Sequence, residues 1–253
     1  MKALSRRPHR PRSAIFLRVN TSEIRDTVTT RHAGLPAQRR PSATFWFVWS
    51  LLLLATVLLS WWSHRSSDLP LDNHFADWLY HNHDSFPLSD QFWEYMRLAG
   101  QPSTIIVVGL VLVAALAARR RLVEAGLVLL ALSTGLVQLA VRALVDRPVF
   151  SGIREPGRAY PSPSSYPSGH AFGEFLVFGL IFVFAPLIIS SRAGVAGIRA
   201  VCVAVIVFGG MERVADSRHW PSDVIGAYLL ALLYVSAAWW VSRAWAAGRR
   251  PQP

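Results

Sequence analysis

The chain has 253 residues, 52% of them hydrophobic and 16% charged, with a formal net charge of +11. That length suits one domain, and long apolar runs with so few charges point to a membrane protein. A single cysteine, Cys202, excludes an internal disulfide, and no repeat at a solenoid period is visible.

Residues 1 to 43 carry Lys2 and nine arginines against only Glu23 and Asp26, interleaved with Pro, Ser and Thr. Such a segment cannot bury enough apolar surface to fold and is expected to be a disordered tail. Its composition resembles an organellar transit peptide; the plainer reading is a basic cytosolic tail held against anionic lipid head groups.

Six apolar segments follow, near Phe45 to Trp62, Ser103 to Ala118, Leu122 to Val141, Ala171 to Ile189, Val195 to Met211 and Val224 to Val241. Each is expected to be a helix, because strands crossing hydrocarbon would need a closed barrel to satisfy their backbone groups. The predicted fold is all-α: a six-helix integral membrane bundle over residues 44–246, followed by a short basic tail over 247–253. The second and fifth segments are short for a span of about 20 residues.

Flanking charge predicts orientation. Arg119-Arg120-Arg121, the loop from Arg192 to Arg199, and Arg249-Arg250 fall on the side of the basic N-terminal tail, which the positive-inside bias makes cytosolic. The loop from Ser63 to Pro102 has only Arg65 and Arg97 against Asp68, Asp72, Asp77, Asp84, Asp90 and Glu94, so it belongs outside. Within it, Asp72 to Tyr80 and Leu88 to Met96 carry aromatic and aliphatic residues at helical spacing. These fit either short interfacial helices or a lid packed on the bundle. The expected setting is a bacterial inner membrane, with both termini cytoplasmic and the site facing the periplasm or exterior.

Six further arginines sit on that outer face against the bias: Arg142, Arg147, Arg154, Arg158, Arg213 and Arg218. All flank two polar clusters, and an anionic substrate accounts for them; for Arg154, Arg158 and Arg218, pairing with nearby carboxylates is the plainer reading. The first cluster is Tyr160-Pro-Ser-Pro-Ser-Ser-Tyr-Pro167-Ser168-Gly169-His170, and the second is His219-Trp220-Pro221-Ser222-Asp223. Ser168 stands where a Pro-rich loop gives way to an apolar helix, where a hydroxyl caps free N–H groups and an anion can rest against the helix dipole. Gly169 permits close approach of a ligand to the backbone. His219 and Asp223 are four residues apart at a helix start, so the carboxylate can hold one imidazole nitrogen and leave the other free to attack. Arg213 offers a forked cation to a phosphate. Two histidines, a carboxylate, a capping serine and an arginine are the parts needed for metal-free phosphoryl transfer. Metal ligation by His170, His219 and Asp223 is possible in principle, but no HExxH or paired-cysteine pattern supports it. Glu174, one turn into the fourth apolar segment, is expected to be structurally paired rather than catalytic.

Pro167-Ser168-Gly169-His170, then Arg213, five residues, His219, three residues and Asp223 resemble the second and third signature motifs of the type 2 phosphatidic acid phosphatase family, membrane relatives of the vanadium haloperoxidases. The resemblance covers roughly residues 70 to 240. The chain departs from the family's first signature, a Lys, six residues, then Arg-Pro. Here Arg142 stands at the Lys position and strict counting puts Val149-Phe150 where Arg-Pro belongs, while Arg147-Pro148 lies two residues earlier. Arg for Lys replaces a compact point charge by a planar fork. Glu212 also stands where a small hydroxyl residue usually precedes Arg213.

The resemblance implies a phosphohistidine mechanism without metal or cofactor. His219 is the nucleophile, Asp223 its orienter and His170 the acid and later the base; Arg142, Arg147, Ser168, Gly169 and Arg213 hold the phosphoryl oxygens. The implied substrate is a lipid phosphate or isoprenyl diphosphate at the outer head-group plane, with the membrane as the other partner and no nucleic acid. Two alternatives stay open: a lipid phosphotransferase of the same family, and a non-catalytic lipid-binding membrane protein with a degenerate first motif.

Overall fold

The structure is a computed structural model, and it describes residues 41–66, 69–70, 72–82, 90–147 and 164–248. Residues 1–40 of the tail expected over 1–43, the end of the chain from 249, and Arg154 and Arg158 lie outside the described residues, and Ala43 already belongs to the first helix. Among the described residues the regular structure is helical: α1 (Ala43–Arg65), α2 (Asp72–Asn82), α3 (Asp90–Ala99), α4 (Pro102–Ala118), α5 (Leu122–Ser133), α6 (Gly135–Val145), α7 (Gly169–Ile188), α8 (Arg192–Ala215) and α9 (Pro221–Gly248).

Five helical stretches are long and apolar enough to cross a membrane: α1, α5 with α6, α7, α8 and α9. The pair α3 and α4, bent by 67°, passes the same test only when taken together, so the count is five, or six where that bent pair is one span. α1 inverts the pattern of a soluble helix. Its described buried residues are Thr56 and Ser63, whereas Trp46, Phe47, Leu54 and Trp61 are exposed, as suits a surface wetted by hydrocarbon. Ser42 starts it by accepting the Phe45 N–H at 3.1 Å, and Trp49 anchors it to α9 by donating to the Leu233 carbonyl at 3.3 Å.

α7 is the central helix. It is apolar all round, and Ala171, Phe172, Leu176, Val177, Leu180 and Phe184 are buried among α4, α5, α8 and α9. Small residues let α8 come close to its neighbours: Gly209 packs against the Glu174 carboxyl of α7, and Gly210 against Tyr228 and Val224 of α9.

The helix limits differ from the expected ones in a consistent direction. α8 has 24 residues, three longer at its start and four at its end than the apolar run Val195 to Met211. The added ends carry Arg192, Glu212 and Arg213, because helical hydrogen bonding continues past the apolar core. The third span also breaks at Thr134, whose hydroxyl donates to the Ala131 carbonyl at 2.6 Å. α2 packs on α8 and α9, and α3 on α8 and α4, so both short helices are seated on the bundle. Phe92 of α3 meets Phe208 of α8 edge to face at 5.2 Å, while Phe75, Trp78 and Tyr95 remain exposed.

Candidate active site

One end of the bundle collects the start of α7, the turn between α8 and α9, the end of α6 and the start of α2. The segment entering α7 is pinned from several sides. The Ser165 N–H donates to the Arg147 carbonyl at 2.9 Å, Gln138 Nε2 donates to the Pro167 carbonyl at 2.9 Å, and the Ser168 N–H donates to the Asp223 carbonyl at 3.2 Å. Tyr166 is a buried wedge whose ring fills the space that a side chain at Gly226 would occupy, with its hydroxyl 3.1 Å from Ser60 Oγ of α1. Burial pushes its phenol up to about 12, so it stays neutral and anchors by hydrogen bonding. Ser168 is fully buried and accepts the Ala171 N–H at 3.4 Å, capping α7. Gly169 lies beside the Gln138 amide.

The α8–α9 turn delivers the second cluster. Ser217 takes a left-handed backbone conformation with φ 53°, and its N–H donates to the Val214 carbonyl at 3.0 Å. His219 follows, 8% exposed. Asp223, in the first turn of α9, is fully buried and divides its two oxygens. Oδ2 accepts the Trp220 N–H at 3.0 Å and faces His219 Nδ1 at 3.5 Å; Oδ1 accepts from Arg147 Nη1 at 2.6 Å. The 3.5 Å approach is longer than a hydrogen bond. Contacts of this kind often tighten only when substrate binds.

The arginines separate into distinct roles. Arg147 was expected at the phosphate, but its guanidinium is fully buried. Nη1 donates to Ser222 Oγ at 2.7 Å and to Asp223, and Nη2 to Asp72 Oδ2 at 2.8 Å, so it lies beneath the Asp223 carboxylate as a support. The reason is tertiary: two carboxylates from distant parts of the chain converge there and bind the fork. Arg142 is half-buried and reaches over the entry to α7, donating from Nε to the Ser164 carbonyl at 2.7 Å and also from Nη2. Arg213 is 2% exposed, and its Nη2 is ion-paired with Glu212 without hydrogen-bond geometry. Arg218 pairs with Asp216. Arg213, His219, Arg218 and Arg142 all bear electrostatically on His170, which is half-buried in the first turn of α7. Electrostatic reach thus links His170 with His219, Arg142 and Arg213 at this end of the bundle, with Ser168 and Gly169 beside it at the start of α7.

Glu174 departs from the pairing expected of it. It is fully buried, and among the described residues neither carboxylate oxygen has a hydrogen-bond partner. Asp72, Gln138 and Tyr166 are site-building residues that sequence reading did not single out. Asp72 opens a helix 150 residues from Ser222, to which it binds, and nothing local signals that partnership. Among the described residues no group of three or more His, Cys, Asp or Glu side chains is placed to share a cation.

The model of the PAP2 superfamily matches residues 16–246 of the chain. The fold is similar to the crystal structure of the first transmembrane PAP2 type phosphatidylglycerolphosphate phosphatase from Bacillus subtilis, with a TM-score of 0.60 and 17% sequence identity, covering 81% of this chain and 98% of that one. At that identity the likeness shows the fold. No curated protein matches the chain.

Proposed function

The chain belongs to the PAP2 superfamily, and on that premise we propose that it is a metal-independent membrane phosphatase acting on a lipid phosphate or isoprenyl diphosphate through a phosphohistidine. The observation that carries this reading is the line from His219 Nδ1 to Asp223 Oδ2 and from Asp223 Oδ1 to Arg147. A carboxylate so anchored can accept from Nδ1–H of His219 once that approach tightens, which leaves Nε2 free to attack.

In this reading His219 Nε2 forms a bond to phosphorus as the ester or anhydride P–O bond breaks, and His170 gives its proton to the leaving oxygen. His170 then takes a proton from water, the water oxygen bonds to phosphorus, and the P–N bond breaks to release phosphate and restore His219. Arg142, Arg213, the Ser168 hydroxyl and the Gly169 N–H balance charge on the equatorial oxygens, and most of the rate comes from positioning and fixed charge. Arg147 and Asp223 touch neither substrate nor leaving group; they hold the nucleophile.

An amphiphilic substrate is supported by the membrane-spanning helices that carry the site; a cavity of about 540 Å³ among α1, α2, α8 and α9 lies on the Asp72 and Ser222 side, and none of His170, His219, Arg142 or Arg213 lines it. The site end is opposite Arg119-Arg120-Arg121 at the far end of α4. With the positive-inside bias this favours a site on the periplasmic or outer face and termini in the cytoplasm.

The deciding experiment is phosphate release by the purified protein from lysophosphatidate, phosphatidylglycerol phosphate and a polyprenyl diphosphate, each with chelator and with or without an acceptor alcohol. Release from at least one supports the reading. Transfer to the acceptor in place of release points to a phosphotransferase, and saturable binding without either product to a lipid-binding protein.

A further inference from the structure

We propose that Asp72, at the start of α2, is a positioning residue for His219: it occupies the second arm of Arg147 so that the Asp223 carboxylate keeps its charge for the nucleophile. Asp72 is 3% exposed, and both of its oxygens are engaged. Oδ1 accepts the Ser222 N–H at 2.9 Å. Oδ2 accepts from Arg147 Nη2 at 2.8 Å, Ser222 Oγ at 2.6 Å and the Leu69 N–H at 3.1 Å. One carboxylate thus caps the first turn of α9, the turn that carries Asp223, and closes the guanidinium on which Asp223 rests.

The charge arithmetic gives this arrangement a consequence for His219. Arg147 and Asp223 alone make a closed neutral pair, in which a fully buried guanidinium draws the carboxylate toward itself. Adding Asp72 leaves the trio with one net negative charge, and the open oxygen of Asp223 faces His219. Other charged groups at this end of the bundle are His170 from α7, Arg213 with Glu212 from α8, Arg218 with Asp216 from the turn, and Arg142 from α6; the three arginines bear on His170, as His219 does. Among the described residues, the carboxylate recorded against Nδ1 is that of Asp223, through which the trio's net negative charge reaches the ring. Removing Asp72 should lower the basicity of His219 and loosen its tautomer, while the groups that contact the phosphate stay in place.

The kinetic part rests on the phosphatase reading; the electrostatic part does not, and the experiment separates them. The full chain in detergent, labelled with ¹⁵N-histidine, is titrated by NMR, with the His219 resonance identified from its loss in His219→Gln. Asp72→Asn is expected to lower the His219 midpoint by about one pH unit, the scale of losing one nearby buried charge, and Asp72→Glu to restore it. In case Asp72→Asn alone does not fold, Asp72→Asn with Arg147→Gln removes the pair together and should keep the midpoint of the unaltered protein. On lysophosphatidate, Asp72→Asn is expected to lower kcat roughly ten- to a hundredfold with KM nearly unchanged, the range seen when an outer partner of a functional group is removed. It should add little in an Asp223→Asn background. An unmoved midpoint in folded Asp72→Asn, a lowered one in the double variant, or full additivity with Asp223→Asn would overturn the assignment. Absence of turnover in the unaltered protein would count against the phosphatase reading, leaving the titration to decide the role of Asp72.

Discussion

Asp223 stands between His219 and Arg147, with one oxygen 3.5 Å from the imidazole Nδ1 and the other 2.6 Å from the guanidinium. In the proposed mechanism its role is to transmit a fixed orientation from a buried cation to the nucleophile. Because neither oxygen is free, the carboxylate cannot rotate away without breaking a charge-assisted hydrogen bond.

The two ends of that line should therefore fail differently. His219→Ala is expected to abolish phosphate release with the helical content intact, because no neighbouring group can form the covalent intermediate. Asp223→Asn should leave measurable turnover, since an orienter only raises the population of the correct tautomer. Phosphate-release kinetics with circular dichroism on both variants test this, and His219→Ala turning over near the normal rate would remove the nucleophile assignment.

Arg147 and Arg142 should separate stability from rate. Arg147→Ala leaves Asp72 and Asp223 facing each other, buried and unpaired. It is expected to cost roughly 3–5 kcal/mol of stability as well as most of the activity. Arg142→Ala removes a half-buried cation over the α7 entry and should lower the rate by about a hundredfold to a thousandfold with a much smaller change in Tm. Thermal unfolding in detergent beside the activity assay distinguishes them; equal, small Tm shifts would place Arg147 outside the buried network.

Activity is expected to survive EDTA and to be blocked by vanadate, because a site built to clamp five-coordinate phosphorus should bind its vanadium mimic tightly. Loss of activity on chelation with recovery on adding a divalent ion would replace the mechanism.

Orientation is testable at two exposed positions, Tyr95 on α3 at the site end and Arg119 at the end of α4. In a Cys202→Ala background, Tyr95→Cys should react with an impermeant thiol reagent in intact cells and Arg119→Cys should not. The reverse pattern would invert the topology.

Gly226 should tolerate no side chain. A methyl group there meets the ring edge and hydroxyl of Tyr166 directly, and that hydroxyl is held by Ser60 Oγ. Gly226→Ala is expected to cost about 1–3 kcal/mol, as overpacking of a filled core does, and to lower activity by shifting the Ser168 end of α7. An unchanged Tm would mean that the entry to α7 is looser than its contacts indicate.

The spans and the local half of the site were legible in the sequence, because both follow from short-range rules. A run of about 20 apolar residues in hydrocarbon must satisfy its backbone internally, so the long apolar runs are helices, and five of the helical stretches are long enough to cross, six where α3 and α4 form one bent span. The cap of Ser168 on α7 and the approach of Asp223 to His219 span three and four residues, distances that helix geometry sets by itself. The direction of Arg147 was not legible. The family resemblance implied a phosphate role for it beside Arg142, in a shifted register, but a guanidinium goes where carboxylates wait, and those come from Asp72 and Asp223, 75 and 76 residues away on either side. The same holds for the wedge of Tyr166 against Gly226 and for Glu174 beside Gly209. Sequence periodicity specifies which residues share a helix face, whereas contacts between helices depend on how the faces are rotated and stacked, which only the packed bundle decides.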